Sequence, residues 1–151
     1  MDIGCYNINL SRMLFHAEPV NVSSVVRRDP AMGIDILTSA ILEFPDGGQS
    51  SFTCSIRSAP FQGARVFGTE GRIEIEIPFN IPTERETRLR LNVGGGQREG
   101  ATRETITFPA ANQYTIQAEL FADSILSGTA VAVQPDDAVA NMAVIEEIFG
   151  S

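Results

Sequence analysis

The sequence contains no lysine and no tryptophan, a single histidine, His16, and only two cysteines, Cys5 and Cys54. Any reaction that needs a lysine ammonium must therefore take it from outside this chain. The two cysteines lack the spacing of a redox or metal motif and are too few for a disulfide framework, which predicts reduced thiols and no metal site. No apolar run approaches the roughly 18 residues of a membrane span, and the first residues lack the features of a signal peptide. We therefore expect a cytoplasmic protein without a membrane partner.

The composition indicates a globular domain. Apolar residues make up 43% and charged residues 20% of the 151 residues, close to the averages for folded proteins, which excludes a disordered chain. The length predicts one domain over residues 1–151. The net charge is −8, and the acidic residues are spread along the chain, so the composition argues against a nucleic-acid partner.

Hydrophobic periodicity divides the chain into helical ends and a long central block of strands. Helical spacing predicts a first helix over about residues 3–15, with Asp2 at its N-cap position. Strict alternation then continues to about residue 108, interrupted by glycine and proline turns. Helical spacing returns at about 112–128 and 136–149. This order predicts an α+β fold with a mostly antiparallel, open β-sheet of about six or more strands, and with helices packed on one face.

Several motifs occur in a fixed order along nearly the whole chain. They are Asp2-Ile3-Gly4-Cys5-Tyr6, Glu18-Pro19-Val20, Phe44-Pro45-Asp46-Gly47, Gly68-Thr69-Glu70-Gly71-Arg72-Ile73, Tyr114-x-x-Gln117-x-x-x-Phe121, and a closing helix from Asp137-Ala138 to Ile148. In this order they resemble the C-terminal domain of the glucose-fructose oxidoreductase, inositol dehydrogenase and rhizopine-catabolism (Gfo/Idh/MocA) family. The opening motif looks most like the glucose-fructose oxidoreductase and the xylose or dihydrodiol dehydrogenase branches.

The resemblance implies one half of a two-domain enzyme. Family members begin with a Rossmann domain that binds NAD or NADP and ends in a Glu-Lys-Pro motif, and this sequence contains neither. We therefore expect the substrate-binding and oligomerisation half of an NAD(P)-dependent oxidoreductase. Its substrate would be a sugar, polyol or related diol, whose secondary or anomeric hydroxyl loses hydride to nicotinamide. This chain alone is expected to bind no cofactor and to be inactive. The alternative is a stand-alone, non-catalytic module for self-association or sugar binding.

The resemblance assigns catalytic roles to Asp2 and Tyr6, and a substrate contact to Asn9, where many relatives have Asp. In the family, an Asp and a His or Tyr four residues later lie at the substrate, and the second residue relays the hydroxyl proton. A phenol in water loses its proton only near pH 10, so the relay needs a cation such as the family's lysine. Spacing alone favours Asp2 as a helix cap and Tyr6 as a packed aromatic, and only the resemblance gives them catalytic roles.

Other conspicuous residues have ordinary interpretations. His16 lies at a predicted helix C-terminus, where the helix dipole favours a cation without any catalytic role. Gly94-Gly95-Gly96 leads from one strand toward another, not into a helix, which predicts a hairpin loop and not a phosphate site. Cys5 is expected to be a buried thiol.

The polar face of the predicted sheet is the expected surface of association. Its alternating residues are Thr53, Ser55, Arg57, Glu74, Glu76, Arg88 and Arg90. Strands with Glu and strands with Arg can pair across a two-fold axis, and family members commonly form dimers or tetramers by stacking these sheets. A homodimer or tetramer is therefore expected.

Overall fold

The structure is a computed structural model that describes residues 1–94 and 102–150. Over these residues the chain forms three α-helices and seven β-strands. In chain order they are α1 (Gly4–Phe15), β1 (Asn21–Arg28), β2 (Asp35–Glu43), β3 (Gln49–Ser55), β4 (Ala64–Phe67), β5 (Gly71–Ile75), β6 (Thr87–Val93), β7 (Thr102–Phe108), α2 (Gln113–Ser127) and α3 (Pro135–Gly150). They belong to two compact units, one of Met1–Ala59 with Val133–Ser151 and one of Pro60–Ala132.

The first unit is an antiparallel sheet in the order β1-β2-β3. Every second side chain of β2 is buried, which is the alternation expected for a sheet with one covered face. Helices α1 and α3 cover that face, and the core combines residues of both helices with residues of the sheet. The core residues are Ile8, Val22, Ala40, Leu42, Phe44, Val144, Ile145 and Ile148. The predicted α+β fold with an antiparallel sheet is therefore confirmed.

Tight packing fixes α1 on the sheet. Ile8 of α1, Leu42 of β2 and Ile148 of α3 are 0% exposed, and full burial of such a side chain stabilises a fold by roughly 1.5–3 kcal/mol. At the start of α1, a Cβ on Gly4 would lie 3.2 Å from the Sγ of Cys54 in β3. A glycine at this position therefore lets the first turn of α1 approach the sheet closely.

The turn between β1 and β2 is organised by a buried carboxylate. Asp29 accepts hydrogen bonds from the backbone N–H groups of Ala31 and Met32, at 2.8 and 2.9 Å, and it forms an ion pair with Arg57 beyond β3. These contacts lower the pKa of Asp29, the bonds from Met32 and Ala31 contributing most. One side chain thus joins the β1–β2 turn to the chain that leaves β3, at the same end of the first sheet.

The strands form two sheets instead of the single sheet that the alternation predicted. After β3, the Ser55 hydroxyl accepts hydrogen bonds from the backbone N–H groups of Arg57 and Ser58, at 3.1 and 3.2 Å. Pro60 then follows, and proline offers no N–H to a ladder. Both features end the pairing of the first sheet, and the next four strands pair in the order β4-β5-β6-β7.

A close backbone contact shapes the β4–β5 hairpin of the second unit. The N–H of Gly68 donates to the carbonyl of Gly71 at 2.8 Å, and the N–H of Gly94 donates to the carbonyl of Glu70 at 2.9 Å. A Cβ on Gly71 would lie 2.2 Å from the carbonyl oxygen of Asn92 on β6. Gly95 and Gly96, the rest of the glycine run, lie outside the described residues.

Helix α2 has strong caps at both ends and an exposed apolar surface. The Asn112 side chain accepts hydrogen bonds from the backbone N–H groups of Tyr114 and Thr115, and Gly128 closes the other end with a left-handed φ of 67°. Both ends agree with the sequence signals. None of the residues of α2 is buried. Four of its large apolar residues are 45–65% exposed, namely Ile116, Leu120, Phe121 and Ile125.

We predict that Gly71→Ala destabilises the protein by roughly 1–3 kcal/mol, because the new methyl group meets a backbone carbonyl that cannot move without breaking the β5–β6 ladder. Gly63→Ala is the matched control, since its Cβ would lie 3.4 Å from the Phe61 ring, an ordinary contact. Urea unfolding followed by circular dichroism measures both variants. Equal stabilities of the two variants would show that the contact at Gly71 is not tight.

Candidate functional site

Helix α1 divides its residues between a buried face and an exposed face. Gly4, Ile8, Ser11 and Arg12 are the buried positions. Tyr6 and Asn9 are both exposed, and their spacing of three places them on the same face of the helix. The exposed Asp2 precedes the first turn of α1. All three predicted site residues are therefore accessible at the N-terminal half of one helix.

The structure excludes the alternative interpretation of two of these residues. The N-cap of α1 is Ile3, and no side chain makes a capping hydrogen bond there, so the prediction that Asp2 caps the helix is wrong. The helix begins one residue later than the periodicity indicated, which moves Asp2 out of the cap position. Tyr6 is 50% exposed, so it is not a core aromatic.

Asn9 connects the exposed face of α1 to the start of α3. Its Nδ2 donates a hydrogen bond to Oδ2 of Asp137 at 3.1 Å. Asp137 lies in the first turn of α3, where the helix dipole favours a carboxylate. The orientation of Asn9 is therefore set by α3 as well as by its own helix.

The other oxygen of Asp137 is held by Arg12, which is only 7% exposed. The Arg12 guanidinium donates two hydrogen bonds of 2.7 Å to the two carboxylate oxygens of Glu18. It also lies 3.0 Å from Oδ1 of Asp137 and donates to the backbone carbonyl of that residue at 3.2 Å. We call Arg12, Glu18, Asp137 and Asn9 the Arg12 cluster.

The Arg12 cluster shifts the pKa values of Glu18 and Arg12. The hydrogen bonds from Arg12 hold the pKa of Glu18 below its usual range, although partial desolvation opposes this. The same bonds raise the pKa of Arg12 itself. Two-pronged pairing between a guanidinium and a carboxylate is the strongest common form of ion pair in proteins. The cluster therefore fixes α1 against α3 with its Tyr6 face outward.

Arg12 was not predicted from the sequence, although one signal was available. Arg12 is the single charged residue between Gly4 and Phe15, on a helix otherwise made of apolar and neutral residues. A single charged residue at a position that helical spacing places on the buried face indicates an internal ion pair. Its partner Asp137 is 125 residues away, so the pairing itself could not be inferred from the sequence.

The other residues that stood out in the sequence, His16 and the two cysteines, have ordinary positions in the fold. His16 is the left-handed C-cap of α1, with a φ of 49°, and it is exposed. Burial raises the pKa of the Cys54 thiol, which makes it a poor nucleophile. Cys5 is partly buried and donates to the carbonyl of Asp2. Across the described ranges, no group of three or more His, Cys, Asp or Glu side chains is arranged to hold a metal ion.

None of the helices in the described part of the chain combines the length and the apolar character that crossing a membrane requires.

Comparison with known proteins identifies related oxidoreductases. Residues 1–74 match the family model of the GFO/IDH/MocA C-terminal domain. An uncharacterized oxidoreductase of Rhizobium meliloti is 37% identical over 147 residues, which are 97% of this chain and 44% of that protein. D-xylose 1-dehydrogenase (NADP(+)) 2 of Haloferax volcanii is 28% identical over 151 residues, which are 100% of this chain and 44% of that protein.

A solved structure shares the fold. The aldose-aldose oxidoreductase from Caulobacter crescentus, complexed with glycerol, superposes with a TM-score of 0.79 at 29% sequence identity. The superposition covers 99% of this chain and 44% of that chain. This chain therefore spans less than half the length of each of the three proteins.

The lowered pKa of Glu18 predicts a pH dependence of stability. The ionised carboxylate stabilises the fold above its unfolded pKa of about 4.3, and this contribution is lost as the pH falls through the lower folded value. Glu18→Gln should therefore be less stable than the wild type at neutral pH, and should lose less stability on acidification to about pH 3. Urea unfolding at a series of pH values measures both. Glu84→Gln, in an exposed loop, is the control, and its stability should change with pH as the wild type's does. The same pH dependence in Glu18→Gln as in the wild type would exclude the ion pair.

Proposed function

We propose that this chain, which belongs to the GFO/IDH/MocA C-terminal domain family, is the substrate-binding and oligomerisation half of an NAD(P)-dependent oxidoreductase. The substrate would be a sugar, polyol or related diol. The observation that supports this most is the exposed face of α1, where Tyr6 stands beside Asn9 and close in sequence to Asp2. A relative named as a xylose dehydrogenase using NADP(+) and a related aldose-aldose oxidoreductase agree with a sugar substrate.

The division of labour follows from what the chain contains. NAD or NADP would bind to a separate nucleotide-binding half, since no dinucleotide fingerprint is present here. The chain also has no lysine with which to supply a cation at the reacting carbon. Residues 1–151 would act as one substrate-side domain, which binds no cofactor and has no turnover by itself.

The proposed chemistry is oxidation of a hydroxyl to a carbonyl. A nicotinamide cofactor held by the nucleotide-binding half would accept the hydride that leaves the substrate carbon. Tyr6, assisted by a cation from the nucleotide-binding half, would relay the proton of the hydroxyl as the carbonyl forms. Asp2 and Asn9 would hold neighbouring hydroxyls by hydrogen bonds. The Arg12 cluster positions α1, so that the face bearing Tyr6 and Asn9 stays outward.

The association surface predicted from the sequence is divided between two sheets, because Thr53 and Ser55 lie in β3 whereas Glu74, Arg88 and Arg90 lie in β5 and β6. The proposed self-association uses the uncovered face of the first sheet. Two cross-strand rows lie side by side there, Val25 with Ser39 and Thr53, and Ser23 with Ile41 and Ser51. They line a shallow depression of about 400 Å³. Val25 is 75% and Ile41 47% exposed, and the hydroxyls of Ser39 and Thr53 satisfy each other at 2.9 Å. Small uncharged side chains let a second sheet stack at about 10 Å across a two-fold axis.

We predict that Tyr6→Phe lowers turnover by at least about a hundredfold, because it removes the group that accepts the hydroxyl proton. The assay needs a nucleotide-binding half, which a fusion to the preceding part of the Rhizobium meliloti oxidoreductase supplies. His16→Ala and Cys5→Ala are controls and should keep nearly full turnover. Wild-type turnover in Tyr6→Phe would remove Tyr6 from the mechanism. A fusion that binds NAD(P) but oxidises no sugar, polyol or diol would refute the proposed function.

We predict that the chain is a dimer at tens of micromolar and that Ile41→Arg dissociates it, because the substitution introduces a charge into the centre of an uncharged contact. Size-exclusion chromatography with light scattering measures the mass. Val20→Arg is the control, since Val20 is 66% exposed outside the strands and should tolerate the charge. A monomeric wild type would contradict this use of the sheet face.

A further inference from the structure

In the described part of the chain, the side-chain amide of Asn9 is bound at one end only. Its Nδ2 donates to Oδ2 of Asp137 at 3.1 Å, and no residue of the described ranges donates a hydrogen bond to its Oδ1. The oxygen and the nitrogen of an amide lie on opposite sides of the same carbon. Because Nδ2 faces α3, the oxygen points away from α3, on the exposed face that Asn9 shares with Tyr6.

The carboxylate that binds this amide is itself held in place. Oδ1 of Asp137 lies 3.0 Å from Nη1 of Arg12, and the backbone carbonyl of Asp137 accepts from the same nitrogen at 3.2 Å. Arg12 is buried and is also paired with Glu18. Since the guanidinium occupies Oδ1, Oδ2 is the oxygen that faces Asn9. Asp137 therefore keeps one acceptor atom at a fixed place beside the exposed face of α1.

The chemistry of Asp137 determines which way the Asn9 amide is turned. An ionised carboxylate accepts hydrogen bonds and has none to donate, whereas an amide has a donor end and an acceptor end. An amide turned the other way would place two acceptor oxygens in contact and would lose the hydrogen bond. The donor end of Asn9 must therefore face Asp137. Asn9 consequently presents an acceptor, and not a donor, to a molecule that binds beside Tyr6.

We propose that Asp137 is a positioning residue, which turns Asn9 so that its Oδ1 accepts a hydrogen bond from a hydroxyl group of the substrate. This inference rests on the proposed function, and it adds that the substrate carries a hydroxyl donor at this point. Asp2, just before the same helix, is also an acceptor when ionised. The exposed half of α1 therefore suits a polyhydroxy compound. A carboxylate, phosphate or carbonyl oxygen placed at Asn9 would meet another acceptor.

Asn141 allows a positioning role to be separated from a merely structural one. It lies one turn after Asp137 on α3, and its Oδ1 accepts from Arg12 at 3.4 Å. Its Nδ2 donates to the backbone carbonyl of Cys5 at 3.2 Å. Asn141 thus joins α3 to α1 as Asp137 does, but within the described residues none of its hydrogen bonds involves Asn9. Asn141→Ala is therefore the matched control.

Two substitutions reverse the amide and then restore the acceptor. In Asp137→Asn the new side-chain oxygen stays with Arg12, so its NH2 group faces Asn9, and the Asn9 amide turns its donor outward. Adding Asn9→Asp to Asp137→Asn again places an acceptor on both sides of position 9. Asn9→Asp alone brings two carboxylates together, so it should lower the urea midpoint of the chain, and adding Asp137→Asn should raise that midpoint again.

The direction of the amide is measured on the full chain alone, by NMR of the side-chain NH2 group of Asn9. One of its two protons should exchange with water at least about threefold more slowly in the wild type than in Asp137→Asn, because the hydrogen bond to the carboxylate protects it. Asn141→Ala should keep the wild-type exchange rate. Equal exchange in the wild type and in Asp137→Asn would overturn the proposal, whether or not the chain takes part in an oxidation.

The requirement for a hydroxyl is measured in the fusion to the preceding part of the Rhizobium meliloti oxidoreductase. The substrates are D-xylose, D-glucose and analogues in which fluorine, which cannot donate, replaces one hydroxyl at a time. At the hydroxyl that Asn9 binds, the loss of kcat/KM on fluorination should shrink about fivefold in Asp137→Asn, the value of one net hydrogen bond. The full loss should return when Asn9→Asp is added, and Asn141→Ala should show the wild-type loss.

The outcomes distinguish this inference from the proposed function. An active fusion in which Asp137→Asn leaves every fluorination loss unchanged would overturn the positioning role and leave the proposed function standing. An equal effect of Asn141→Ala would also overturn it, since that result is expected of a merely structural contact. A fusion that turns over neither sugar would refute the requirement for a sugar hydroxyl, whereas the NMR measurement would still decide whether Asp137 turns Asn9.

Discussion

The buried guanidinium of Arg12 is the constraint on which the arrangement of the first unit depends. Leaving a charge in the interior without a partner costs several kcal/mol, so Arg12 at 7% exposure must keep its carboxylates. Glu18 comes from the segment that follows α1, and Asp137 comes from the first turn of α3. Any rotation of α1 that buried Tyr6 would pull Arg12 away from both. The apolar core supplies most of the stability, and the ion pairs determine which face of the helix points outward.

Local sequence signals predicted most of the helices and strands, whereas contacts between residues far apart in the chain could not be predicted from the sequence. The ends of α2 were predicted because Asn112 and Gly128 act through bonds within one turn of the helix. The division into two sheets was not predicted, because apolar and polar residues alternate in the same way whether the strands form one sheet or two. The break depends on the Ser55 hydroxyl and on Pro60, neither of which disturbs the periodicity.

The same distinction applies to the candidate site. The shared face of Tyr6 and Asn9 follows from helical spacing alone, and it was predicted. The assignment of Asp2 to the helix cap depended on the first helical residue, and a shift of one position was enough to make it wrong. The hydrogen bond from Asn9 to Asp137 joins residues 128 positions apart. No periodicity indicates such a bond, although the lone charge of Arg12 marked α1 as a helix with an internal polar partner.

Symmetry limits how the uncovered face of the first sheet can be used. A two-fold axis applies one patch twice, so a surface associates with its own copy only if it is self-complementary. The hydroxyl and aliphatic rows of the first sheet meet this condition, because they have no net charge to repel a copy.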